Sequence, residues 1–249
     1  MPDVVVWLRG VRVAYDGHAA LDGFDLEVGG GEQVALVGPS GAGKTTALRL
    51  CTGSVVATAG AVVVLGQNLM GASAGELREV RRQVGTIHQQ LNLVGPLRVV
   101  HNVNAGHLGS WSRAQALRSL VRPVGLAEAR DALGRVGIAD KLLERTDRLS
   151  GGEQQRVALA RVLVQAPALI LADEPVSSLD PARAEEVMDL LTAAVADRTR
   201  TLLVSLHDFA LARRRCDRIW ACGPGRVAFD LPAGEVSDEM GHDLYRIAA

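Results

Sequence analysis

Gly38-Pro39-Ser40-Gly41-Ala42-Gly43-Lys44-Thr45, followed by Thr46, fits the spacing GxxxxGK[ST]. Those residue types in that order suit one task, holding a phosphate. The glycines tolerate positive φ, so several backbone N–H groups can turn onto one anion. A helix opening at Lys44 adds the partial positive charge of its N-terminus. In a loop of this kind the lysine reaches the β- and γ-phosphates of a nucleotide and the next hydroxyl, here Thr45, ligates Mg²⁺. Lysine is scarce in this chain, where Lys44 and Lys141 are the only two and arginine supplies the other basic residues. A lysine inside a glycine loop is therefore informative, whereas the arginine richness fits a GC-rich genome.

Two acids, Asp173 and Glu174, follow the apolar run Ala168-Leu169-Ile170-Leu171-Ala172 and precede Pro175. Asp173 is placed to hold Mg²⁺, as an acid at this position does beside a phosphate loop, and Glu174 to polarise an attacking water. A second anion site is written at Ser150-Gly151-Gly152-Glu153. Its S-x-x-E pattern is a capping box opening a helix. The box leaves Gly151 and Gly152 unexplained, since each costs a helix about 1 kcal/mol relative to alanine. They make sense if something must approach the backbone closely.

The positioning elements follow from pattern. Residues 3–15 read as one or two strands, 23–28 as a strand, Gly29-Gly30-Gly31 as a turn and Val34–Val37 as a buried strand feeding the loop. A helix from Lys44 stops near Gly53. A strand follows around 59–68, then a helix capped by Ser73 with Glu76, then a strand at "VGTIHQ". From 97 to 165 the pattern is helical, with segments near 113–121, 126–136 and 153–165. Then come a strand at 168–172, a helix at 182–196, a strand at 200–205, a helix at 208–215, strands near 217–222 and 226–229, and a helical tail over 233–246. Strand–helix alternation predicts a largely parallel sheet covered on both faces.

The 249 residues are 48% hydrophobic and 22% charged, enough for one core-bearing unit. A net charge of -1 argues against a nucleic-acid binder. No apolar run approaches a membrane span, and the first residues lack a secretory pattern. Cys51, Cys216 and Cys222 have no metal or disulfide spacing and read as reduced, buried thiols.

"LSGGEQQR", then "LILADEP" and "SSLD", in that order, resemble the ATP-binding subunits of ABC transporters over nearly the whole chain. The resemblance implies a P-loop NTPase of ABC type: a mainly parallel core sheet, an antiparallel β lobe and an inserted helical lobe. One domain over 1–249 is implied, with core and β lobe at about 1–96 and 166–249 and the helical lobe at about 97–165. It implies a homodimer formed on ATP binding, in which Ser150, Gly151 and Gly152 of one copy hold the γ-phosphate on Lys44 of the other. Tyr15 resembles the aromatic that stacks on adenine, with core packing as the plainer alternative. Gln89 resembles the loop glutamine that touches Mg²⁺ and water, with Gln90 an adjacent competitor. Asp180 resembles the acid that couples the two sites, and its position before Pro181 also suits an N-cap. His207 resembles the switch histidine that contacts the γ-phosphate. The remaining histidines, 18, 88, 101, 107 and 242, have no ligand spacing; His88 stands where related importers often have an aromatic.

The stretch "RRQVGTIHQQLNLVGPLRVVHNVNAGHLGSWS" and the ending "GRVAFDLPAGEVSDEMGHDLY" look like phosphonate-importer ATPases. That implies cargo of phosphonate or a related phosphorus oxyanion, membrane permease subunits, an extracytoplasmic solute-binding protein, no nucleic acid, and a place on the cytoplasmic face of the membrane. Methionine, polar amino acid and other small-solute importers, and lipoprotein-release or division-type ATPases, are the alternatives. A chromosome-repair ATPase would need a long coiled coil between Thr46 and Leu149, and no sustained heptads occur there.

Overall fold

The computed structural model describes residues 4–121, 124–177, 179–223 and 226–246. Ten strands form two sheets. The first is antiparallel, in the order β2-β1-β4-β5, from β1 (Val4–Tyr15), β2 (His18–Gly29), β4 (Ala59–Val64) and β5 (Gln67–Asn68). The second runs β10-β9-β3-β8-β7-β6, from β3 (Gln33–Val37), β6 (Val84–Ile87), β7 (Leu169–Asp173), β8 (Thr201–Leu206), β9 (Arg218–Cys222) and β10 (Val227–Pro232). Its pairs are parallel except β10 with β9.

Period-two burial makes the parallel sheet a wall between two apolar cores. From β3, Ala35 and Val37 enter one core while Val34 and Leu36 enter the other. Strand β7 divides the same way, with Ile170 and Ala172 on one side and Leu169 and Leu171 on the other. One core holds the β1–β2–β4 sheet and helix α1 (Lys44–Cys51). The other holds α3 (Val99–Asn104), α5 (Leu126–Arg135), α6 (Gly151–Gln165), α7 (Pro181–Ala193) and α8 (Phe209–Arg215). Helices α2 (Ala74–Gln83), α4 (Arg113–Val121) and α9 (Asp238–Arg246) complete the chain.

Most expected elements are present, the Ser73–Glu76 capping box included. Three differ. Strand β2 begins at His18, five residues ahead of the sequence pattern, because pairing with β1 carries it through Gly23 at φ 70° with a register shift. The expected strand over 59–68 is two, β4 and β5, folded at Leu65-Gly66. The span 97–165, expected as helical, is broken into α3, α4, α5 and α6 with short 3-10 turns among them; α3 is aligned by Asn102, whose side chain accepts from Val94 N–H at 2.8 Å and donates to Val94 O at 3.0 Å and Thr146 Oγ1 at 2.9 Å. Ser178 of "SSLD" and Gly225 of the C-terminal ending lie outside the described residues.

Candidate active site

The carboxyl ends of four neighbouring strands, β3, β8, β7 and β6, deliver Gly38, His207, Glu174 and Gln89 to one edge of the parallel sheet. Ligand sites in open α/β sheets lie at this edge. The loop after β3 bends through Gly38 (φ 152°), Gly41 (φ 81°) and Gly43 (φ 94°). Gly38 is enforced by packing as well, since a Cβ there would lie 2.2 Å from the Cys222 carbonyl oxygen. Gly43 lies against the first hairpin, where a Cβ would come within 2.8 Å of Ala20 O. The backbone N–H groups of Ser40, Gly41, Gly43, Lys44, Thr45 and Thr46 donate to no protein acceptor among the described residues. That makes the loop an anion-binding concavity at the N-terminus of α1. Lys44 is buried and turns its Nζ back onto Gly38 O at 2.7 Å and Pro39 O at 3.1 Å. Burial lowers its pKa, with Glu174 and Asp173 opposing the shift.

Thr45 Oγ1 donates to Asp173 Oδ1 at 3.0 Å, joining the phosphate loop to the first acid. Ser205 donates to the same oxygen at 2.9 Å and accepts from Glu174 N–H at 2.9 Å. One hydroxyl thus fixes both acids. The signal for Ser205 was a polar residue near the end of the apolar strand "TLLVSL", and sequence reasoning passed over it. Glu174 sits at φ 48°, left-handed backbone that costs a non-glycine residue about 1 kcal/mol and is concentrated at functional sites. Its Oε1 is 2.5 Å from His207 Nε2. Lys44, Thr45, Asp173, Glu174 and His207 are therefore one constellation.

The other expected residues lie around it. Gln89 Nε2 donates to Ser177 Oγ at 3.4 Å, in the turn after Glu174, and no hydrogen bond joins its side chain to Thr45 or Asp173 among the described residues. Tyr15 is exposed at the tip of the first hairpin, opposite His18. Asp180 caps α7 by accepting from Arg183 N–H at 3.1 Å, with Pro181 first in the helix. His88 turns into a cavity of about 280 Å³ beside Asp173 and Arg49, under α1. Burial, with Arg161 nearby, lowers its pKa, and Asp173 opposes. Cys222 is buried against Val37 O, and burial pushes its thiol up to about 12, so it is a packing group.

At the head of α6, Ser150 and Glu153 form the expected capping box. Gly151 and Gly152 have neither positive φ nor a neighbour: a Cβ on either would meet nothing within 4 Å. Nothing in the described residues of this chain requires glycine there. No hydrogen bond or ion pair joins Ser150, Gly151 or Gly152 to the phosphate loop among the described residues. The second turn of α6 does reach the same sheet edge, where Gln155 Nε2 donates to Pro175 O, next to Glu174.

The ABC transporter family model matches residues 21–177, which hold the phosphate loop, the capped glycines and both acids. The chain belongs to that family. It is 49% identical over 98% of its length to the phosphonates import ATP-binding protein PhnC of Anaeromyxobacter dehalogenans, and spans about half (49%) of that protein. It is 47% identical over 96% of its length to phosphonates import ATP-binding protein PhnC 2 of Pseudomonas aeruginosa, covering 90% of it. A solved ATP-binding cassette, dimeric in a post-hydrolysis state with ADP and Pi, superposes with a TM-score of 0.77 at 29% identity, covering 92% of this chain and 98% of that one. The cassette's expected fold class is therefore present: a six-stranded, mainly parallel sheet, an antiparallel lobe and helices inserted between β6 and β7.

The cassette carries one further surface. Val94, Leu97, Leu108 and Leu117 expose aliphatic side chains around a groove of about 560 Å³ between α3 and α4. No helix is long and apolar enough to cross a membrane among the described residues.

Proposed function

We propose that the cassette is the ATP-hydrolysing motor of an importer and works as a pair of chains, each capping the nucleotide held on the other's phosphate loop. The observation that carries this is the head of α6. Its two glycines lower helix stability and meet no neighbour among the described residues of their own chain, so the reason for them lies in an approaching anion. The dimeric ADP-bound relative supports the same assembly.

Within one half-site, Lys44 leaves its two loop carbonyls for the β- and γ-phosphates, while the free N–H groups of the loop take the phosphate oxygens. Thr45, Asp173 and Gln89 would hold Mg²⁺. Their hydroxyl, carboxylate and amide oxygens are the hard donors that ion prefers. No cluster of three or more His, Cys, Asp and Glu side chains suited to a metal exists among the described residues, and nucleotide phosphates would complete the ion's oxygen ligands. A magnesium ion held there would neutralise charge developing on the phosphates. Glu174 orients the attacking water and accepts its proton. His207, against Glu174, is in reach of the γ-phosphate side of the site. Tyr15 stacks on the base, and Asp180 lies beside the turn carrying Ser177, where it links the two half-sites.

The partner on the membrane is a permease, whose short helix docks in the apolar groove beside the segment that follows Gln89. An extracytoplasmic binding protein supplies the cargo, and the cassette stands on the cytoplasmic face. The relatives at 41–49% identity are phosphonate importers by name, which supports phosphonate or a related phosphorus oxyanion as cargo.

Glu174→Gln tests the pairing. The variant should hydrolyse ATP at least 100-fold more slowly and run as a dimer on gel filtration with ATP and Mg²⁺. Adding Ser150→Arg should return it to a monomer that still binds ATP. Wild-type turnover in Glu174→Gln, or a dimer that survives Ser150→Arg, overturns the proposal.

A further inference from the structure

The C-terminal helix α9 is bound to the segment that carries His207 by three separate contacts. Tyr245 donates its hydroxyl to the main-chain oxygen of His207 at 2.6 Å. Gly241 packs so closely on Phe209 that a Cβ would lie 2.6 Å from the ring. Arg213 of α8 reaches Asp238 Oδ1 at 2.7 Å. Only His207 and Asp208 separate β8 from α8, and Asp208 is committed to capping α8 through Leu211 N–H at 2.9 Å. The His207 backbone is thus held by the cap on one side and by the phenol on the other. Burial raises the pKa of the phenol, and the Gly38 backbone opposes the shift. Helix α9 has its own anchors, with Leu244 and Gly241 buried and Met240 packed on the helical core. The hydroxyl is not needed to keep it in place.

We propose that Tyr245 is a positioning residue for hydrolysis, holding the His207 backbone so that the imidazole stays on Glu174, and that α9 is thereby part of the hydrolytic apparatus. The inference rests on the reading of Glu174 and His207 given above. A carbonyl freed at a two-residue junction lets the following backbone rotate, and small displacements of a reacting group are costly in rate.

Tyr245→Phe removes one oxygen and leaves the ring packed. Phosphate release by the full chain should fall about five- to ten-fold in kcat, with KM for ATP within about two-fold of wild type and the melting temperature nearly unchanged. His207→Ala should lower kcat, and adding Tyr245→Phe to it should cause no further loss, which a role confined to stability would not produce. If Tyr245→Phe keeps wild-type kcat while His207→Ala does not, or if the two losses multiply, the positioning role is overturned and the hydrolytic reading stands. Wild-type kcat in His207→Ala overturns the reading of His207 itself.

Discussion

Single atoms decide much at the phosphate loop. Gly38 has no room for a methyl group, because the Cys222 carbonyl oxygen would lie 2.2 Å away and the backbone is at φ 152°. Gly38→Ala must therefore displace either the loop or β9, at about 1–3 kcal/mol. It should lower the melting temperature and weaken ATP binding together, measured by calorimetry and by titration with a fluorescent nucleotide. The sequence displayed this loop plainly, since GxxxxGK[ST] is dictated by local backbone geometry. It also displayed Asp173, Glu174 and the Ser150 capping box. Ser205 and Tyr245 were hidden, because a hydroxyl that steadies another residue has no fixed spacing from it: Ser205 is 32 residues from Asp173 and Tyr245 is 38 from His207. His88 was similarly opaque, as its neighbours in the cavity come from α1 and β7.

Between elements, ion pairs tie the sheet's amino-terminal edge to the helices. Asp217, just ahead of β9, accepts from Gln33 N–H at 3.1 Å at the start of β3 and pairs with Arg198 beyond α7. The hydrogen bonds from Arg198 hold its pKa below the ordinary 3.8, assisted by the Gln33 backbone, while desolvation opposes. A carboxylate lowered in the folded state contributes stability above its unfolded value and loses it as pH falls through the folded one. Asp217→Asn should thus melt lower than wild type at pH 7. The gap should close below about pH 4, as followed by thermal melts across pH. Both side chains are about half exposed, so the difference is about 1 kcal/mol or less. Element types were legible where burial shaped the sequence, as in the near-continuous apolar runs of the all-buried β3 and β8. The first five residues of β2 escaped because pairing with β1, and not a pattern of their own, extends the strand.

For the whole molecule, the hydrolytic edge and the apolar groove lie on different parts of the chain, which predicts that they can be separated by mutation. Leu117→Asp places a charge on an exposed groove position that buries little within the cassette. The isolated variant should keep its ATP affinity and fold. In cells it should lose uptake of a labelled phosphonate and association with the membrane fraction. Retained uptake would place the permease contact elsewhere. The sequence holds no apolar run of membrane-spanning length, and among the described residues no helix is long and apolar enough to cross a membrane.

The parallel sheet is apolar on both of its faces, and this governs how far its tips can drift. A one-residue slide of β3 or β7 would send every aliphatic group into the opposite compartment, where the cavities have the wrong shape. Gly38, Glu174 and His207 are therefore indexed to one another like teeth on meshed gears: no gradual slippage is open to them, only correct seating or wholesale derailment.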